Sequence, residues 1–332
     1  MRTRDFIQAL PKAELHLHFE GMVPWHLVQA HSEEPLPDTP PWWADDFRFD
    51  DFQDFTLAMK DCYGPVLTSV EHYQQVAQIA FDNLAAQNVR YVETSVAPNI
   101  ALEQGLSLVD VIAAIKVVAP PTLTVAVFCG LARHNCHTLN DPIIQAVFSA
   151  PNLDGIDLHG DERLGNPAPF AEIFARARHL GLMTKAHAGE LTGPQTIRDT
   201  LDLLQVTRIE HGTTAIEDEA LLACLADEGI TLDMCPTSNL KLRVVDSLEN
   251  HPIRDFLRRG IPVTVNTDDP TVFGSSLTNE LYLLAERLDF SPADLAQVQI
   301  AAFNVARLSD LQRAEVLAEI DQLVAETVFS IR

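Results

Sequence analysis

The sequence predicts an α/β fold, a (β/α)8 TIM-type barrel with a helical insert between strands one and two and extra C-terminal helices, as one domain over residues 1–332. Three observations carry this expectation. Short apolar runs rich in β-branched residues recur eight times along the chain, and helix-like segments separate them, so the strands should pair in parallel. The turn after the first run, "HFEGMVPW", is no Gly-rich dinucleotide loop, which disfavours an open doubly wound sheet. With 332 residues, 47% of them hydrophobic, the chain can fill the core that such a barrel needs.

The first run, "ELHLHFE" (14–20), alternates apolar and polar residues as a half-buried strand does. A proline-rich loop, "EEPLPDTPPWW" (33–43), leads into "FDDFQDFTLAMKDCYG" (49–64), which reads as the inserted helix. Strands two to four are "VRYVETSVA" (89–97), "LTVAVFCGL" (123–131) and "LDGIDLHGD" (153–161). Strands five to eight are "LMTKAHAGE" (182–190), "RIEHGT" (208–213), "TLDMCPTSN" (231–239) and "IPVTVNTDD" (261–269). Helical patterns occupy 168–181, 193–205 and 218–229, with Gly181 and Gly229 placed to end two of them. Two more patterns, 277–305 and 309–327, read as closing helices.

The totals narrow the partners. Forty-seven acidic against 23 basic residues leave a formal charge of −24, which argues against nucleic acid and anionic membrane surfaces and fits simple solubility. The five cysteines (62, 129, 136, 224 and 235) form no C-x-x-C pair and suit a reducing cytoplasm. The N-terminal "MRTRDFIQALPK" has no continuous apolar core and does not read as a signal peptide. The most apolar stretch, 111–132, is broken by Lys116, Pro120 and Pro121, so it reads as a helix end and a strand rather than a membrane span.

Polar residues gather where the strands end. His16 and His18 stand two apart, so a strand would aim both at one space, together with Glu20. Strand four ends in His159, Gly160, Asp161 and Glu162; strand five in His187 and Glu190; strand six in His211; strand eight in Asp268 and Asp269. In a parallel barrel those ends open on one mouth. Three histidines and one carboxylate from strands one, five and eight are a donor set suited to zinc with a position left for water. Singly, each is ordinary: a buried histidine is more often a core residue, and "DD" is more often a turn or helix cap. Their coincidence at one end of every strand is what points to a site. Met22, Trp25 and the Phe52/Phe55/Met59 stripe read first as core, while His134 and His137, after strand three, could serve either the mouth or a loop.

"PKAELHLHFEG", "HAGE", "RIEHGT", "CPTSN" and "NTDDP", in this order over nearly the whole chain, resemble the adenosine deaminase family of the amidohydrolase superfamily. The resemblance implies a barrel with one zinc ion (Zn2+) per chain, held by His16, His18, His187 and Asp268. It implies hydrolytic deamination at C6 of a small-molecule aminopurine or its nucleoside. Glu190 would protonate ring N1, His211 would position the attacking water, and Asp269 would accept or share a proton with that water or with ring N7. Gly160 would meet the purine through its backbone, and His18 and Glu20 would border the substrate.

Two departures bear on the substrate. Where many adenosine deaminases have "HLDG", this chain has "HFEG", and Glu20 there is familiar in relatives that deaminate adenine or other N6-bearing purines. The "DLHGDE" loop is similar instead to the nucleoside enzymes. Adenosine is the leading expectation, with adenine or a 5′-modified adenosine such as aminodeoxyfutalosine as the alternative. A binuclear amidohydrolase would want a lysine at the end of strand four, which reads "HGDE", and a silent binding barrel would have lost a ligand or Glu190.

Overall fold

A computed structural model describes residues 2–134 and 138–329. Eight parallel strands pair in chain order, each with the next: β1 (Lys12–Glu14), β2 (Val89–Val96), β3 (Thr124–Ala132), β4 (Gly155–His159), β5 (Met183–Ala188), β6 (Arg208–His211), β7 (Thr231–Met234) and β8 (Val263–Val265). Helices follow the strands, and the result is the (β/α)8 barrel that the alternation predicts.

The first strand departs from its expected span of 14–20. The ladder ends at Glu14 because the Asn266 side chain takes the next two backbone N–H groups, those of Leu15 (2.8 Å) and His16 (3.2 Å). The chain stays extended beyond this point. The Leu17–Asp268 bridge joins it to β8 and the His18–Ser95 bridge joins it to β2, which brings the two barrel edges together. Glu20 is therefore not on a strand face with His16 and His18; it starts a 3-10 turn, Glu20–Met22.

The insert holds a helix at Phe52–Tyr63, capped by Asp51, whose carboxylate accepts from the Asp54 N–H at 2.9 Å. Helices at Ala171–His179 and Glu219–Asp227 end before Gly181 and Gly229, both at positive φ. The 277–305 pattern divides into Leu277–Arg287 and Pro292–Val305, the second opened by a Ser291/Asp294 capping box with Pro292 in its first turn. Asp310–Phe329 closes the chain.

Beneath the mouth the barrel interior is charged, where branched apolar layers are usual. Arg208 forks between Glu93 (2.8 and 2.9 Å) and Asp233 (2.7 and 3.0 Å), and Lys185 pairs with Glu210 at 2.9 Å, all of them buried. These pairs come from β2, β5, β6 and β7 and tie four strands directly below the site. Among the described residues, Cys62, Cys129, Cys224 and Cys235 are free thiols, and no helix is long and apolar enough to cross a membrane.

Candidate active site

The C-terminal strand ends open on a cleft of about 620 Å³. At its floor His16, His18, His187 and Asp268 converge. His16 Nε2 and His187 Nε2 are 3.1 Å apart, His18 Nε2 and His187 Nε2 3.3 Å, and Asp268 Oδ1 lies 3.3 Å from His16 and 3.2 Å from His18. A tetrahedron of donors about 2.0–2.1 Å from one ion has edges of roughly 3.3 Å, so the spacing fits one small cation. The other ring nitrogens agree. His187 Nδ1 meets Glu210 Oε2 at 2.9 Å, and His16 Nδ1 meets the Asp233 carbonyl at 3.2 Å. With those protons directed outward, the two Nε2 lone pairs face each other, an arrangement that a cation between them relieves. Every other metal-capable trio among the described residues borrows one of these four.

Backbone strain turns two of the side chains into place. His211 and Asp268 hold φ of 65° and 64°, in the left-handed region that non-glycine residues seldom adopt. Arg208 and Glu210 both face the barrel interior, so strict alternation along β6 would send His211 outward. Its positive φ brings the ring instead to within 3.5 Å of Glu190. Asp268 is held by the Ser238 hydroxyl, which donates to Oδ2 at 2.7 Å.

Glu190 hangs from a turn built by Glu162, whose two carboxylate oxygens accept from the Gly189 and Glu190 N–H groups at 3.0 Å each. Burial, followed by the nearby Asp268 and Glu162 charges, pushes the Glu190 carboxyl well above the usual range. The shift favours the protonated form of the carboxyl. Asp269 is also raised, by burial and then by Asp268, and its Oδ1 has no hydrogen-bond partner among the described residues. Gly21 is required beside it, because a Cβ there would stand 2.1 Å from Asp269 Oδ1.

The upper cleft holds the remaining sequence-predicted residues. Glu20 is buried, accepts from the Ala97 N–H at 3.0 Å and is pushed up to about 7 by burial. Gly160 lines the wall at a φ of 89°. Phe55 is buried in the core, as expected, with Phe52 and Met59 packed against it, and all three also line the cleft; Met22 and Trp25 are buried as expected. His134 reaches the cleft; His137 and Cys136 lie outside the described residues. The sequence reading missed Ser238, Asn239 and Glu210; His159, which it placed at the end of strand four, stacks on His18 with centroids 5.4 Å apart. Ser238 and Asn239 sit inside the quoted "CPTSN", so the signal for them was present.

A nearly closed parallel barrel with three histidines, an aspartate and a buried glutamate around one cation-sized space is the arrangement of a metal-dependent hydrolase. The family model "Adenosine deaminase" matches residues 11–323, and the chain belongs to that family. It is 34% identical to an adenine deaminase of Rhodospirillum rubrum, over 95% of this chain and 97% of that one. It is also 34% identical to an aminodeoxyfutalosine deaminase of Streptomyces avermitilis, over 97% and 93%. Among solved structures, an amidohydrolase from Burkhoderia ambifaria with bound zinc superposes with a TM-score of 0.85 at 26% identity, covering 98% of this chain and 94% of that one. The protein is a hydrolytic deaminase acting on aminopurines.

Proposed function

We propose that this chain is a zinc-dependent deaminase of a 6-aminopurine carrying a 5′-substituted ribose, of the aminodeoxyfutalosine kind. His16, His18, His187 and Asp268 would hold the metal. Zinc in that position supplies Lewis-acid activation of water. Glu190 gives its proton to ring N1, which draws electrons from C6 and opens it to attack. His211 orients the attacking water, Asp269 takes one of its protons and passes it to the amino group, and ammonia leaves as the C6–N bond breaks while the remaining O–H proton returns to Glu190. His18, Glu20 and the Gly160 backbone border the purine and its sugar.

The observation that carries the substrate assignment is the cleft. A purine base fills only part of its 620 Å³, and Phe52, Phe55, Met59 and Leu164 give the cleft an apolar lining suited to a substituent beyond the ribose. Glu20, one methylene longer than the aspartate of "HLDG", lines the same cleft. Adenosine, the first expectation from sequence, therefore gives way to the 5′-modified nucleoside. Free adenine is the second reading, favoured by the Rhodospirillum relative. The free thiols support residence in a reducing cytoplasm.

Ammonia release from aminodeoxyfutalosine, a 5′-thio-substituted adenosine, adenosine, 2′-deoxyadenosine and adenine tests the order. The 5′-modified nucleosides should show the highest kcat/KM. A preference for adenine would move the function to the second reading, and a preference for adenosine would refute the argument from the cleft.

A further inference from the structure

A buried hydrogen-bond chain behind the site reads out, one link at a time, which nitrogen of His211 carries its proton. The Ile253 backbone N–H can only donate, and it points at His251 Nδ1 at 3.3 Å. That nitrogen is therefore bare, and the proton of the neutral ring sits on Nε2, 3.0 Å from Asn239 Oδ1. The opposite orientation of the Asn239 amide would set an N–H donor against that N–H, so the oxygen faces His251; the Thr213 hydroxyl, 3.4 Å away, reaches the same oxygen. The Asn239 Nδ2 group then donates to His211 Nδ1 at 3.1 Å. Asn239, His251 and His211 are all buried, which leaves this chain few competing partners.

We infer that Asn239 and His251 are positioning residues that hold His211 in the tautomer with Nε2 protonated, making it a hydrogen-bond donor to the reacting oxygen and not the base that deprotonates it. Nε2 is the nitrogen facing the site, 3.5 Å from Glu190 Oε1 and 3.9 Å from Asp268 Oδ2. In that tautomer it has no lone pair to take a proton. The attacking water's O–H bond breaks toward Asp269, its oxygen bonds to C6, and the His211 N–H steadies the charge on that oxygen. The chemical role rests on the deaminase reading above, whereas the tautomer does not.

The test is a long-range 1H–15N correlation spectrum of the full-length, zinc-loaded protein with 15N-labelled histidine, the His211 signals being assigned by their loss in His211→Asn. The expected spectrum shows His211 and His251 each protonated on Nε2 and bare on Nδ1. Asn239→Asp puts a carboxylate opposite His211 Nδ1, so the proton should move to Nδ1 and kcat should fall by about a hundredfold, the scale of a lost oxyanion donor. KM should change little. His211 protonated on Nδ1 in the unaltered protein would overturn the inference without any variant needing to fold. An inverted tautomer in Asn239→Asp with full kcat would overturn the donor role. The expected tautomers in a protein that deaminates no aminopurine would leave the relay standing and remove the proposed function.

Discussion

Glu190 Oε1 and His211 Nε2 stand 3.5 Å apart at the floor of the cleft, both side chains almost wholly buried. They reach that distance from different strand ends, one through a turn held by Glu162 and the other through a left-handed backbone. Glu190→Gln keeps the shape and removes the transferable proton. It should bind metal as the parent does and lose about 10²–10⁴ in kcat, the usual worth of a general acid. Metal content and steady-state rates on one preparation check this; near-normal turnover would remove Glu190 from the mechanism.

The Ser238 hydroxyl holds Asp268 Oδ2 at 2.7 Å and contacts none of the other three candidate ligands within the described bonds. Ser238→Ala should therefore weaken metal binding by about 10–100-fold, the effect of losing a group that orients a ligand. Competition with a zinc chelator measures it. Unchanged affinity would mean that the positive φ at Asp268 alone orients the carboxylate.

Glu20 titrates in the folded protein near 7, raised by burial above its ordinary value. Below that pH it is protonated; above it, it is a carboxylate able to accept from a substrate hydroxyl or N–H. KM should fall as pH rises through about 7, and Glu20→Gln should abolish that dependence. Stability runs the other way: the raised folded pKa favours the native state below the unfolded value and loses that contribution as pH rises through about 7. The variant's thermal midpoint should therefore decline less between pH 5 and pH 8. KM profiles and melting curves of both proteins decide it.

Arg208 is the only cation bonded to Asp233 among the described residues and also forks onto Glu93. Arg208→Met leaves two carboxylates buried without their partner and should cost about 3–5 kcal/mol in urea denaturation. A loss under 1 kcal/mol would show that Lys185, 3.6 Å from Glu93, suffices for the network.

Much of this was legible because it depends on local spacing. His16 and His18 share a space since two extended residues apart means one side of the chain, and that survives although the ladder stops at Glu14. Positions governed by long-range partners were not legible. Glu20 leaves the face because the chain turns at Phe19 after bridging two strands. His211 has the wrong parity for an inward side chain, and only its motif, not its period, places it in the site. Lys185, Arg208, Glu210 and Glu93 look like solvated faces within their own strands; closure of the barrel makes them an interior network. Phe52, Phe55 and Met59 show a core-like stripe because a cleft wall and a core demand the same residues. The break within 277–305 was written in "SPAD", a capping box with proline behind the serine.

The central claim is that one metal ion, held by His16, His18, His187 and Asp268, makes this chain an aminopurine deaminase. Its most direct measurement is ammonia release during titration of chelator-stripped protein with zinc, using the preferred substrate. The account predicts negligible release without metal and a linear rise that saturates at one zinc per chain, with no release at any zinc level in Asp268→Ala. Full activity in the stripped protein, or saturation only at two ions per chain, would contradict it.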